Sequence, residues 1–161
     1  MTDVVSPEVR SRMMAGIRGR DTQPELLLRR AMHARGFRFR LHRKDLPGSP
    51  DLVFPRYRVV VFVHGCFWHR HEGCRYTTTP KTRIDFWQAK FEANLARDQK
   101  VEEALACAGW RIAIVWECAL RHDAGRIASE LAEWMSAGIS PVRVELGSQR
   151  KVLPVNTGPH W

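Results

Sequence analysis

Residues 50–69, PDLVFPRYRVVVFVHGCFWH, decide the fold of this chain. A Pro/Gly turn at residues 47–50 leads into a short apolar run at residues 51–54, and the run at residues 59–63 is the strongest strand signal in the sequence. Polar residues 56–58 turn the chain between the two runs. The stretch therefore predicts two consecutive strands, followed directly by a loop rich in His, Cys and Trp.

A helix is predicted upstream of these strands. Thr22 and Glu25 have the spacing of a capping box, Pro24 suits a first helical turn, and Gly36 suits the end of the helix. The apolar residue Cys107, in the run LACA, is predicted to lie in the core.

Periodic patterns continue downstream. Apolar periodicity predicts additional elements, namely helices at residues 85–106 and 124–137 and strands at residues 37–41 and 112–116. This order predicts an α/β fold in a single domain, with a mixed central β-sheet flanked by helices. The predicted organisation is a basic N-terminal arm at residues 1–20, the domain itself at residues 21–140 and a C-terminal tail at residues 141–161.

The composition points to a nucleic-acid partner. The 161 residues carry a formal net charge of +9, and Arg outnumbers Lys 21 to 5. Arg makes bidentate contacts to phosphate and guanine, so this bias favours nucleic acid over the alternative of a solvated basic surface. The first twenty residues lack a signal-peptide core, and the longest apolar run is too short to span a bilayer. We therefore expect a cytoplasmic protein without a membrane partner.

Asp51 is the candidate metal ligand of an active site. It lies where the turn enters the first strand, and His64 follows the second strand. A carboxylate at a strand edge suits Mg²⁺, an ion that keeps several waters and that can activate water for phosphodiester hydrolysis. The alternative is that Asp51 merely begins a strand. The spacing resembles the PD-(D/E)xK nuclease core, although Phe62 and His64 replace its usual second carboxylate and lysine.

The loop at residues 64–74, HGCFWHRHEGC, has the composition of a zinc site. Cys66 and Cys74 supply two thiols, and Cys118, after the downstream strand, can supply a third. The fourth ligand is His69 or His71, and the spacing does not choose between them. Reduced, buried thiols are the alternative, but the loop is too polar for a core.

Two motifs carry a resemblance to a known family. HGCFWH at residues 64–69 and WECAL at residues 116–120 are both highly specific, and further matches occur at residues 12–18, 21–25, 46–51 and 80–83. The chain resembles the very short patch repair (Vsr) DNA mismatch endonuclease family over nearly its whole length. The resemblance implies a restriction-endonuclease-like core with a structural zinc site. It also implies an enzyme that nicks one strand of double-stranded DNA at a T:G mismatch arising from deamination of 5-methylcytosine.

The resemblance also implies roles for individual residues. Asp51 and the backbone carbonyl of Val63 would hold Mg²⁺, and His69 would act as general base. The supporting residues would be Glu25, which orders metal-bound waters, His64 in the phosphate region, and Asp98, which orients a catalytic His. Assigning His69 to catalysis leaves Cys66, His71, Cys74 and Cys118 as the zinc ligands.

DNA contacts are implied for a further group of residues. Phe67, Trp68 and Trp87 would form an apolar wedge between base steps, whereas an average Trp is more often core. The arm with Met14 would clasp the opposite groove, and Lys81 and Arg83 would contact DNA. The expected assembly is a monomer that cooperates with mismatch-repair proteins.

Two other functions compete with this interpretation. One is a restriction-type endonuclease of the same fold that cuts both strands of a matched site, and the other is a zinc-bearing DNA-binding module without catalysis. The remaining histidines show no arrangement that suggests chemistry and are predicted to be surface or packing residues: His33, His42, His122 and His160.

Overall fold

A computed structural model describes residues 21–138 and 141–147. Three helices and five strands lie in these ranges: α1 (Gln23–Ala34), β1 (Arg40–Leu41), β2 (Leu52–Phe54), β3 (Val59–His64), α2 (Ile84–Cys107), β4 (Arg111–Trp116), α3 (Glu117–Ser136) and β5 (Arg143–Leu146). The strand order is β1-β2-β3-β4-β5. β2 pairs antiparallel with both β1 and β3, whereas β4 pairs parallel with both β3 and β5. The predicted α/β domain with a mixed sheet is confirmed.

The sheet separates two apolar clusters. Val59 and Val61 face one cluster, which includes residues of α1 and α3, whereas Val60 faces the other, which includes Leu105 of α2. Because successive side chains of a strand point to opposite faces, a strand covered on both faces is apolar throughout. This explains the unbroken run at residues 59–63. Among the described residues, no helix combines the length and apolar character needed to cross a membrane.

Three local predictions need correction. The strand expected at residues 37–41 is reduced to Arg40–Leu41, while Phe37 and Phe39 pack against the core from outside the ladder. Cys107 is exposed, not core, because it ends α2 on a face turned away from the sheet. The last helix begins at Glu117, seven residues before the predicted start, and is interrupted at Asp123 (φ −158°, ψ 86°).

The interruption at Asp123 explains the late predicted start. Asp123 Oδ1 accepts a hydrogen bond from the Arg126 N–H (3.0 Å), as the N-cap of a new helical segment does. The sequence pattern therefore reports the second segment. The first segment, which carries Cys118, follows β4 directly.

The loop before β2 is fixed against α2. A Cβ on Gly48 would lie 2.4 Å from Val101 Cγ1, and the φ of Gly48 is +72°. Only Gly combines this conformation with so close an approach. The contact sets the path by which the chain reaches Asp51.

Candidate active site and metal cluster

A cleft of about 1360 Å³ opens beside the carboxyl end of β3. The N-terminus of α1, the start of β2 and the loop after β3 meet there, since β2 and β3 are adjacent in the sheet. The cleft brings together all the side chains predicted for catalysis, together with Val63: Glu25, Asp51, Val63, His64, His69 and Asp98.

Asp51 directly precedes β2 and is held beside the carboxyl end of β3. Its Oδ2 accepts a hydrogen bond from the Val63 N–H (2.7 Å). The N–H and C=O of one strand residue point to the same side of the strand. The Val63 carbonyl therefore points toward β2, the side on which Asp51 lies. A carboxylate and a carbonyl are the hard oxygen ligands that Mg²⁺ prefers, and this donor set fits the ion. Burial and the nearby Glu25 carboxylate raise the pKa of Asp51 to about 7.

Glu25 lies in the first turn of α1 and is buried. The Thr22 Oγ1 accepts a long hydrogen bond from the Glu25 N–H (3.5 Å), as predicted for a helix cap. The reciprocal bond differs from the expected capping box, because Glu25 Oε2 accepts from the N–H of Asp21 (2.8 Å), one residue before Thr22. Arg29 Nη2 donates to the same oxygen (3.1 Å). Glu25 thus links the helix start to the cleft.

Two stacked imidazoles form the opposite wall. His69 Nδ1 lies 2.6 Å from Asp98 Oδ2, and the rings of His64 and His69 stack with centroids 3.8 Å apart. The carboxylate fixes the proton on His69 Nδ1, which leaves Nε2 with its lone pair. Burial, followed by the nearby His69, lowers the pKa of His64 to about 3. His64 is therefore a neutral ring that holds His69 in place.

The cysteine cluster lies on the other side of the loop. Cys66, His71, Cys74 and Cys118 place one ligand atom each within 4.8 Å of the others. His71 Nδ1 is 3.6 Å from Cys66 Sγ and 3.4 Å from Cys118 Sγ. In a tetrahedral zinc site, nitrogen and sulfur ligands lie about 3.5 Å apart, as follows from the usual Zn–N and Zn–S distances. The donor set and its spacing fit Zn²⁺.

The two histidines that spacing did not separate lie in different groups. His71 Nδ1 faces the thiols, and its ring stacks on Trp116 with centroids 4.2 Å apart. His69 turns to Asp98 and the cleft. Trp116 ends β4, and Cys118 lies in the first turn of α3. The loop after β3 therefore packs against the junction of β4 and α3.

The candidate wedge residues form one aromatic cluster at the rim of the cleft. Phe67 packs edge-to-face on Trp68 (5.1 Å) and on Trp87 (5.7 Å), and all three are half-buried. Lys81 and Arg83 are exposed nearby in sequence, before α2. Ile84 and Phe86, in the first turn of α2, are also exposed. Met14 and the rest of the basic arm lie outside the described residues.

Sequence reasoning missed part of the cleft. His42, predicted to be a surface or packing residue, lines the cleft beside Asp21, Glu25 and Asp51. Arg29 joins the same group. His42 stands outside any periodic pattern, and the positive charge of Arg29 is one of many in the chain. Capping-box spacing pointed to Glu25, but no local signal pointed to these two partners.

Comparison with known proteins gives concordant similarities. The family profile described as DNA mismatch endonuclease Vsr matches residues 2–75. The chain is 56% identical over 131 residues to a type II nicking enzyme, V.XorIIP, of Xanthomonas oryzae, which covers 81% of this chain and 95% of that protein. It is 42% identical over 142 residues to the DNA mismatch endonuclease Vsr of Escherichia coli, with 84% and 88% covered. A type II nicking enzyme of Neisseria meningitidis, V.NmeAIP, is 41% identical, with 77% and 88% covered.

Proposed function

The chain belongs to the Vsr DNA mismatch endonuclease family, and from this premise we propose that it is a magnesium-dependent enzyme that nicks one DNA strand at a T:G mismatch. Membership makes it an endonuclease that acts on DNA and implies a divalent metal in catalysis. The choice of Mg²⁺ and of the T:G mismatch is the proposal. The observation that carries it is the meeting of Asp51, Glu25 and the His69–Asp98 pair in one cleft beside an aromatic cluster.

In this proposal Asp51 and the Val63 carbonyl would hold Mg²⁺ in the cleft. When bound, the ion supplies charge that polarises the phosphate and lowers the pKa of bound water. Glu25, fixed by the Asp21 N–H and by Arg29, would order the water molecules of the site. These residues bind and orient the reacting groups before the chemical step.

His69 accepts the proton of the attacking water. The carboxylate of Asp98 holds the tautomer in which Nε2 carries the lone pair, and it stabilises the imidazolium that forms. His64 limits rotation of the His69 ring by stacking on it, and burial lowers the pKa of His64, so it stacks as a neutral ring. The role of His64 is therefore to position His69 rather than to transfer a proton.

The arrangement supports cleavage of one strand. Within the described part of the chain these catalytic candidates gather in a single cleft. Cleavage of both strands of a duplex would need a second cleft of opposite orientation. A monomer of this protein therefore nicks. Two of the relatives above are named nicking enzymes, which agrees with this expectation.

The aromatic cluster at the rim supports recognition of a weakened base pair. Phe67, Trp68 and Trp87 are neither fully buried nor free of one another, so the cluster is pre-formed. Insertion of apolar side chains requires unstacking, which costs less at a mismatch than at a paired step. Lys81 and Arg83 would contact phosphates, and the arm with Met14 would contact the opposite groove.

The cysteine cluster would hold a structural Zn²⁺ through Cys66, His71, Cys74 and Cys118. A zinc ion there ties the loop that carries His69 to the turn after β4, so it stabilises the cleft without taking part in the reaction.

The decisive experiment incubates the protein with matched duplexes that differ at one base pair. We expect a single nick in the T:G duplex with Mg²⁺, none with EDTA, and little cleavage of the C:G and T:A duplexes. Asp51→Asn is the matched control, because it removes the charge with little change in shape, and it should still bind DNA while losing nicking. Equal nicking of paired and mismatched duplexes would replace the mismatch with a matched recognition site. Cleavage of both strands would support the restriction-type alternative.

A further inference from the structure

We propose that His42 is a positioning residue of the active site, which together with Arg29 fixes the orientation of the Asp51 carboxylate. This inference rests on the proposed function, because it takes Asp51 as a metal ligand. From the sequence, His42 was predicted to be only a surface or packing residue.

His42 lies between Arg29 and three carboxylates. Its Nε2 lies 3.0 Å from Arg29 Nη2, 3.5 Å from Asp21 Oδ1 and 3.7 Å from Glu25 Oε2. Its Nδ1 lies 3.8 Å from Asp51 Oδ1. The ring therefore bridges the group around Arg29 and the Asp51 carboxylate.

The two oxygens of Asp51 thus face different partners. Oδ2 is held by the Val63 N–H at 2.7 Å, and Oδ1 faces the imidazole. At 3.8 Å the ring and the carboxylate are in close contact, at a separation longer than a hydrogen bond. Such a contact limits rotation of the carboxylate about its last bond and so sets the direction of its lone pairs.

Arg29 connects this contact to the second acidic group. Its Nη2 donates to Asp21 Oδ1 (2.8 Å) and to Glu25 Oε2 (3.1 Å), and its side chain is 13% exposed. One guanidinium therefore contacts both Glu25 and the ring that faces Asp51. The positions of the two neighbouring carboxylates, Glu25 and Asp51, are coupled through Arg29 and His42.

The backbone supports a functional role for this group. His42 and Asp21 both have positive φ, 46° and 55°, in the left-handed region that few residues other than Gly adopt. Such conformations tend to persist at functional sites, where surrounding contacts over-determine them. Both residues belong to the same cluster of side chains.

Three substitutions separate positioning from packing. In His42→Asn the side-chain nitrogen occupies the place of Nδ1, and Asn tolerates the left-handed conformation. In His42→Gln the amide reaches the place of Nε2 instead. His42→Gly removes the side chain without backbone strain. Arg58→Gly is the control, because Arg58 also has a left-handed backbone (φ 51°) but contacts the carbonyls of Ala108 and Gly109.

The first readout is Mn²⁺ affinity, measured by electron paramagnetic resonance on the protein bound to a T:G duplex with an uncleavable linkage. We expect His42→Gly and His42→Gln to weaken Mn²⁺ binding by about tenfold, which is the usual scale for losing a partner of a metal-ligating side chain. His42→Asn should stay within about threefold of the parent by the same reasoning. The half-saturating Mg²⁺ concentration for single-turnover nicking should rise in parallel, and Arg58→Gly should change neither quantity.

Two results would overturn the inference. One is an unchanged Mn²⁺ affinity in His42→Gly, and the other is an equal loss in all three His42 variants that follows their melting temperatures. Failure of the proposed function looks different, because the parent protein itself would then not nick T:G DNA with Mg²⁺.

Discussion

Glu25→Gln tests whether the buried carboxylate caps a helix or serves the reaction. Gln keeps an oxygen that can accept from the Asp21 N–H, which the carboxylate does at 2.8 Å. It loses the charge that strengthens the bond from Arg29 (3.1 Å), at a cost of about 1 kcal/mol, the difference between a charged and a neutral hydrogen bond. Removal of repulsion between Glu25 and Asp51 offsets part of that cost. We therefore expect the free energy of unfolding to fall by no more than about 1 kcal/mol.

The nicking rate of Glu25→Gln should fall far more. A neutral amide cannot align metal-bound water as a carboxylate does, and loss of such an outer-sphere partner lowers activity by about 10- to 100-fold. The assay measures single-turnover nicking of a T:G duplex at saturating Mg²⁺ and urea unfolding on the same preparation.

Thr22→Ala is the matched control for this prediction. It removes the long Thr22 cap (3.5 Å) at the other side of the same turn and should cost about 0.5–1 kcal/mol of stability with nicking retained. Near-normal nicking by Glu25→Gln, or an equal loss in Thr22→Ala, would refute the reasoning and return Glu25 to a capping role.

Five further substitutions test other parts of the site and fold. Cys118→Ser should lower the zinc content and the melting temperature together, since structural zinc contributes folding free energy; one zinc per chain in a variant of unchanged stability would remove Cys118 from the ligand set. His69→Ala should abolish most nicking and retain zinc, whereas His71→Ala should lose zinc, as metal analysis of both variants will show; zinc loss from the His69 variant would exchange their roles. Trp68→Ala should weaken binding to T:G DNA by about 1–3 kcal/mol, the scale of one stacked base, and reduce discrimination against paired DNA; a lower melting temperature with unchanged discrimination would make Trp68 a core residue. Arg111→Met should destabilise the fold by about 2–4 kcal/mol in urea unfolding, because the buried guanidinium donates to the carbonyls of Trp134, Met135 and Gly138 at the end of α3; a loss no larger than that of the exposed Arg30→Met would contradict this account.

The core of the fold could be predicted from local sequence patterns, because burial of an element determines the order of apolar and polar residues along it. The unbroken apolar runs at residues 59–63 and 112–116 match β3 and β4, the two central strands covered on both faces. A chain that must bury both faces of a strand cannot alternate polar and apolar residues. Where the periodic trace is weak, prediction failed, as at Cys107 and at the start of α3.

The candidate site divides in the same way. The sequence alone determined the α/β class, the family resemblance and the set of Cys, His and Asp residues available for chemistry. The spacing left His69 and His71 equivalent, because they are two residues apart in a loop and either can reach the thiols; only the family resemblance assigned them different roles. The tertiary structure separates them, placing His71 by Cys118, which is 47 residues away, and His69 by Asp98, 29 residues away.

Only the tertiary structure brought His42 into the cleft and Arg29 against Asp21 and Glu25. Their arrangement depends on where α1 packs, on the path of the loop held by Gly48 and on a left-handed backbone at His42. Periodicity reports which side of an element is buried, since neighbours along the chain share that environment. Contacts between side chains that are distant in sequence depend instead on loop conformation and on the packing of helices and strands. The residues next to them in the sequence do not indicate these contacts.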